Sequence, residues 1–284
     1  MTIGEELSQA VQILAQAGVP QPRLDARVLL AHALGGPLEP LMGAGEVSLP
    51  PAVSDQYQRF IARRVGREPV SRIVGHREFW SLNFVLSPAT LDPRPDSETL
   101  IEAALAVSRP ETPLAVLDLG TGSGCLLLAL LSERPLATGL GIDIDPEAVA
   151  VAGRNAARHG LAGRVRFQEG DWGAGLDGPY DLILCNPPYL PTGEIEQLEP
   201  EVARHEPRLA LIGGSDGLEQ YRRLGAELLR LIGSAGFAVV EVGRGQADEV
   251  EAILRASGLR TVERRRDLSA IERCLTLVRA GNSA

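Results

Sequence analysis

The sequence predicts an α/β protein in which a small helical N-terminal domain precedes a parallel β-sheet covered by helices on both faces. Three observations predict it. From Asp96 onward, short runs rich in Val, Ile and Leu alternate with stretches of helical period, and that alternation builds a parallel sheet. Ahead of residue 76 the apolar residues keep helical spacing alone. The chain of 284 residues, 44% hydrophobic and 23% charged, has the length and apolar content for about two domains. These values exclude wholesale disorder, a collagen and a coiled-coil rod.

Taken in order, Thr2 and Glu5 form a capping box, and Leu7, Val11, Leu14 and Ala15 continue a helix until Gly18 and Pro20 stop it. A second helix is expected from Arg23 to Leu34, ahead of Gly35-Gly36, and a third from about Ser54 to Val65. Arg59, Arg63 and Arg67 recur every four residues and are expected to share one helical face, either solvated or used for docking. Residues 1–75 read as a helical domain, neutral and joined by a linker to a self-sufficient α/β fold, and so expected to dock a protein substrate. Residues 76–95 break the period: Phe79, Trp80, Leu82, Phe84 and Leu86 predict a short hairpin and then a Pro-punctuated linker. Residues 96–284 form the larger domain, with strands expected at Leu114–Leu119, Thr138–Asp143, Val165–Glu169, Asp181–Cys185 and Ala238–Val242. Helices begin near Ser123, Pro146 and Gly217, and the tail adds a helix over Gln246–Ala256 and extended segments near Leu259–Arg264 and Arg273–Val278.

Composition narrows the chemistry. The net charge is −9, and acidic residues and arginines balance over residues 1–75, so the excess sits in the remainder. A protein so charged is not expected to bind nucleic acid stably, because that affinity comes from clustered cations. Every basic residue is Arg; with no Lys in the chain, Schiff-base chemistry and a P-loop lysine are excluded. Cys125, Cys185 and Cys274 lie far apart without a Cys-x-x-Cys pair, which argues against a disulfide framework or structural zinc and fits a reducing cytoplasm. The start carries Glu5 and Glu6 and no basic residue ahead of an apolar core, so no signal peptide is read there, and the run Cys125–Leu131 is too short to span a bilayer. No metal site and no membrane partner are expected.

The segment from Val116 to Gly124 ends the first expected strand of the larger domain and opens a helix. It carries Gly120, Thr121, Gly122, Ser123 and Gly124. In an open α/β sheet, ligands bind beyond the carboxyl ends of the strands, where glycines allow close backbone approach and helix N–H groups stay free. Asp143 ends the next strand, 19 residues after Gly124, where an acid can accept from both hydroxyls of a ribose. A dinucleotide fingerprint would place a third Gly at the position of Cys125. Its absence disfavours NAD and FAD and favours S-adenosyl-L-methionine, which has a ribose but no pyrophosphate. Asp171 and Trp172 follow the third strand, where an acid can accept from an adenine amino group and an indole can cover the ring.

The fourth strand runs into Asn186-Pro187-Pro188-Tyr189. Consecutive prolines stiffen the backbone and remove two donors while keeping their carbonyls as acceptors. With the Asn186 side-chain carbonyl they form a rigid acceptor-rich corner that can hold an NH2 group by both hydrogens, and Tyr189 offers a flat face for a planar group. An amide nitrogen is a poor nucleophile because its lone pair is delocalised. Acceptors on its two hydrogens favour a pyramidal nitrogen with the lone pair aimed at the methyl carbon, and proximity does most of the rest. Asn186, Pro187 and Tyr189 are thus the expected catalytic residues, and Asn186 to Tyr189 the substrate contacts.

At this point the chain resembles the HemK/PrmC family of glutamine methyltransferases that modify peptide chain release factors. The resemblance rests on Glu68 to Trp80, Pro93-Arg94-Pro95-Asp96-Ser97-Glu98, Val116 to Gly124, Asp171-Trp172, Asn186 to Tyr189, Glu206-Pro207 with Ala210-Leu211, and Arg266-Asp267-Leu268. It implies a Rossmann-like, seven-stranded class I methyltransferase fold and methylation of the glutamine in the Gly-Gly-Gln loop of class I release factors. It also implies cofactor contacts at Gly120 to Gly124, Asp143, Trp172 and Asn186. Asp92 departs from the pattern, where an apolar residue is expected before Pro93. Competing readings are glutamine methylation of a ribosomal protein, adenine amino-methylation of nucleic acid and a non-catalytic cofactor sensor. The intact corner speaks against the last, and the acidic charge against the adenine enzyme.

Overall fold

The computed structural model describes residues 1–36 and 45–281. The chain divides into two compact units, Met1–His76 with Glu199–His205, and Arg77–Leu198 with Glu206–Ala284.

The first unit holds α1 (Ile3–Gln16), α2 (Pro22–Leu34), α3 (Pro51–Val65) and the short α4 (Val70–Val74). Thr2 and Glu5 close the expected capping box: the Thr2 N–H donates to Glu5 Oε2 at 2.8 Å, and the Glu5 N–H donates to Thr2 Oγ1. Leu14, Leu29, Leu30, Tyr57 and Ile61 bury the apolar stripes of these helices in one core. The expected arginine face takes a different form. Arg67 lies beyond the end of α3 with a left-handed backbone, φ 67°, so the spacing of four no longer sets its direction. It binds Glu201 through two nitrogens at 2.7 Å each, while Arg63 pairs with Glu68. Buried Arg64 joins Asp25 to Glu201 at 2.7 and 2.9 Å. Burial alone would raise the Glu201 carboxyl, but hydrogen bonds from Arg67 and Arg64 hold it down at about 2.

The second unit opens with a hairpin, β1 (His76–Phe79) and β2 (Leu82–Val85). Its two turn residues, Trp80 and Ser81, both have positive φ without being glycine, and the Trp80 N–H is held by Glu98 Oε1 at 2.8 Å. Phe79 and Phe84 enter the core of this unit, so the hairpin is built into it and is not a free connector. The remaining elements are α5 (Glu98–Val107), β3 (Ala115–Leu119), α6 (Cys125–Glu133), β4 (Thr138–Asp143), α7 (Pro146–Arg158), β5 (Val165–Glu169), β6 (Tyr180–Cys185), α8 (Pro200–His205, in the first unit), α9 (Glu219–Leu231), β7 (Ile232–Glu241), α10 (Ala247–Ala256), β8 (Leu259–Arg266) and β9 (Glu272–Arg279).

The seven strands lie in the order β5-β4-β3-β6-β7-β9-β8. The first five are parallel, and β9 pairs antiparallel with both β7 and β8. The sheet is thus seven-stranded and mostly parallel, as the class I methyltransferase fold requires, with the two tail strands forming its antiparallel edge. Alternate residues of each strand feed two cores. Val116, Leu182, Leu184 and Val239 face α5 and α6, whereas Leu117, Leu119, Ile183, Cys185, Ala238 and Val240 face α9 and α10. The chain leaves β3 for β4 and β5, then returns to place β6 on the other side of β3. That reversal opens a crevice at the carboxyl ends of β3 and β6.

Candidate active site

A cavity of about 660 Å³ lies at that crevice, within the size range of small-molecule sites. Of the residues singled out in the sequence, Gly120, Thr121, Gly122, Ser123, Asp143, Asp171, Trp172, Asn186 and Pro188 line it. Gly124, Pro187 and Tyr189 do not. Gly124 caps α6 at φ 81°, and a Cβ there would meet Ala152, Leu128 and Phe167 at 3.2–3.3 Å, so it serves close packing. Pro187 is buried, and Tyr189 is half-buried behind Asn186, its ring against Gly243.

The glycine loop is tied to the end of β4. Gly120 and Thr121 both donate to the Ile142 carbonyl at 2.9 Å, and the Gly122 N–H donates to Asp143 Oδ2 at 2.8 Å. The second Asp143 oxygen accepts from the Asp145 N–H. Burial raises the Asp143 carboxyl, with these two N–H groups opposing it in part. Beneath the loop Asp118 is buried, accepting from Thr121 Oγ1 at 2.6 Å, while its Oδ1 finds no hydrogen-bond partner among the described residues. Burial pushes the Asp118 carboxyl up to about 7; the Thr121 hydroxyl holds it down and nearby Asp143 adds to the rise. The destabilised Asp143 carboxylate lines the cavity and suits a ligand with hydroxyl donors, whereas Asp118 does not line it and braces the loop from beneath through Thr121. Trp172 adopts φ 51° and lays its ring on Gly120, 3.3 Å from where a Cβ would stand, and its Nε1–H donates to Gln220. Asp171 at the rim is gripped by Arg223 at 2.7 and 2.8 Å.

Asn186 caps β6, and its Nδ2–H donates to Ser97 Oγ at 3.2 Å. Ser97 in turn donates to Glu241 Oε2 at 2.6 Å, and the Tyr189 hydroxyl reaches Glu241 Oε1 at 3.5 Å. Arg94, also lining the cavity, is anchored by buried Glu206 at 2.9 Å, and Glu206 also accepts the Asp92 N–H at 3.1 Å. Asp92 itself is buried, 3.9 Å from the Arg77 guanidinium. Sequence reasoning assigned no role to Asp118, Ser97, Glu241 or Asn155. Asn155 is fully buried in α7 and joins Val85 of the hairpin to the Ser123 carbonyl of the loop. A signal was present for the two acids, which end apolar strands where a charge has no place in a core. Among the described residues no group of three or more His, Cys, Asp or Glu is placed to hold a metal, and no helix is long and apolar enough to cross a membrane.

Comparison with known proteins follows the same division. Residues 5–75 match the family described as PrmC N-terminal domain, and residues 111–214 match a family described as methyltransferase domain. The release factor glutamine methyltransferase of Rhodospirillum rubrum is 50% identical over 275 residues, covering 97% of this chain and 84% of that protein. The proteins of the same name from Caulobacter vibrioides and Deinococcus radiodurans are 41% and 39% identical, covering 95% and 100% of their lengths and 96% and 99% of this chain. Among solved structures, the hMettl16 catalytic domain aligns with a TM-score of 0.57 at 15% identity, over 82% of this chain and 83% of that one. A methyltransferase from Pyrococcus furiosus aligns at 0.51 and 17% identity, over 78% and 96%. These two likenesses speak to the fold alone.

Proposed function

The chain belongs to the family of release factor glutamine methyltransferases, and on that premise we propose that it methylates the side-chain amide nitrogen of the glutamine in the Gly-Gly-Gln loop of class I peptide chain release factors. The methyl donor is S-adenosyl-L-methionine. When bound, it supplies an electrophilic methyl group on a sulfonium leaving group. The observation that carries the reading is that one cavity collects Gly120 to Ser123 of the glycine loop, Asp143, and Asn186 and Pro188 of the corner.

Each residue has a task in this reading. Asp143 accepts from the ribose hydroxyls, Asp118 braces the glycine loop from beneath through Thr121, and Trp172 walls the adenine with Asp171 at the rim. Asn186 Oδ1 and the carbonyls of the proline pair take the two hydrogens of the glutamine NH2. Tyr189 stands behind Asn186 and fixes the corner from outside the cavity. No strong base is needed to create the nucleophile. The helical first unit docks the protein substrate.

The test is single-turnover methylation of a release factor with both substrates saturating. Asn186→Ala is expected to slow transfer by about 100–1,000-fold, the cost of losing one well-placed polar group from a preorganised site. Tyr189→Phe should be mild, because the bond it removes is long and the ring remains, and Tyr189→Ala should be severe. Wild-type rate in Asn186→Ala would remove the corner from the chemistry.

A further inference from the structure

Ser97 has a single hydroxyl proton, and the 2.6 Å contact to Glu241 Oε2 uses it. Toward Asn186, 3.2 Å away on its other side, Ser97 can therefore only accept. The Asn186 amide must then turn its NH2 to Ser97, leaving Oδ1 as the end available to a ligand. Reversed, the same amide would present donors to the substrate NH2, and donor would meet donor. The direction of this chain is set by the one member that cannot donate when ionised, Glu241.

We propose that Glu241 is a positioning residue: acting through Ser97, it fixes which way the Asn186 amide faces and so keeps an acceptor on the substrate amide. The proposal rests on the reading of Asn186 given above. Glu241 takes hold of the corner at a second point, the Tyr189 hydroxyl. It ends β7 and is almost wholly buried. Arg273 of β9, bridged to Asp96 at 3.1 Å and to Asp267 at 2.9 Å, favours its charge, and Asp96 opposes it. Tyr221 of α9 donates to its backbone carbonyl at 3.0 Å. The thiols of Cys125, Cys185 and Cys274 also feel its charge, and burial keeps all three neutral.

Protonated on Oε2, Glu241 donates to Ser97, the Ser97 O–H swings round to donate to Asn186, and the amide turns its NH2 to the substrate. Burial pushes the Glu241 carboxyl up to about 7, with the Ser97 hydroxyl and Arg273 holding it down, so the reversal falls near neutral pH. Asp118 titrates in the same range, which makes the Glu241 variant the control that assigns the limb.

The experiment compares the full-length wild type, Glu241→Gln, Ser97→Ala and Asn186→Ala in single-turnover methylation of a release factor across pH, with cofactor affinity measured by calorimetry. The expected result is a wild-type rate that falls as pH drops through about 7. Glu241→Gln and Ser97→Ala should be slowed on the order of 100-fold at about pH 8, the scale of a misplaced reacting group, with cofactor affinity and release-factor KM near wild type. Glu241→Gln should also lose the acid limb. If Glu241→Gln keeps the wild-type rate and limb while Asn186→Ala is slow, the positioning role is wrong and the reading of Asn186 stands. If Asn186→Ala is itself as fast as wild type, both fall. Should Glu241→Gln bind no cofactor, Ser97→Ala decides alone, and a wild-type rate there overturns the proposal.

Discussion

Asp118 occupies the end of an apolar strand where a leucine or valine would pack without cost. Its carboxyl is raised by burial to about 7, against a value near 4 in the unfolded chain. An acid whose folded value lies above its unfolded one destabilises the fold as pH rises between the two, because the unfolded state loses its proton first. Asp118→Asn should therefore melt higher than wild type at about pH 8, by a few kcal/mol, with the gap closing toward about pH 4. The same change should weaken S-adenosyl-L-methionine binding, because Asp118 braces the cavity-lining loop through the Thr121 hydroxyl. Paired melting curves and calorimetry check both signs; a variant that is more stable and binds equally well would take Asp118 out of the site. The residues legible in the sequence were those with motif neighbours: the glycines, Asp143 and Asn186. Ser97 and Glu241 stayed hidden because they meet Asn186 only through pairings between residues 97, 186 and 241. Tyr189 was legible as a member of the corner, but the direction of its ring is set by the distant Gly243, so its place behind the cavity was not.

At the scale of elements, the cofactor loop is registered by the strand beside it. Asp118 pairs with Gly141, and a Cβ on Gly141 would stand 2.5 Å from the Phe167 ring and 2.8 Å from Thr121 Oγ1. Gly141→Ala should thus overpack the β4–β5 layer and displace Thr121, costing about 1–3 kcal/mol and lowering cofactor affinity with it. Gly153 offers the opposite case: it is exposed in α7 with nothing within 4 Å of a Cβ, so Gly153→Ala should add roughly 0.5–1 kcal/mol. Denaturant unfolding of the two variants measures both, and equal effects would contradict the packing argument. Of the parallel strands, β3 and β6 are legible as short apolar runs, while the expected Thr138–Asp143 and Val165–Glu169 match β4 and β5 because each follows a helical stretch in the strand–helix alternation. α5 is hard to read in sequence: its buried Leu100, Ile101, Ala103 and Ala104 share one helical face, but the continuous apolar run Ala103–Val107 masks the period. The antiparallel placing of β9 between β7 and β8 leaves no local trace, since direction is decided by which edge the chain returns to.

For the whole molecule, the sequence divides into a neutral helical part and an acidic α/β part, and the structure resolves two compact units with one exchange. Residues Glu199–His205, which follow the Asn-Pro-Pro-Tyr corner in the chain, belong to the first unit, where Arg64 and Arg67 hold Glu201. No periodicity announces that exchange, because it rests on ion pairs between residues more than a hundred positions apart. The substrate of the whole protein is a glutamine amide of a release factor. The measurement that tests this most directly is methyl incorporation from labelled S-adenosyl-L-methionine, with an intact class I release factor, the large ribosomal subunit and duplex DNA offered separately, followed by mapping of the labelled residue. Label is expected on the release factor alone, at the glutamine of its Gly-Gly-Gln loop. Label on the ribosomal subunit or on DNA with the release factor left bare would contradict that assignment.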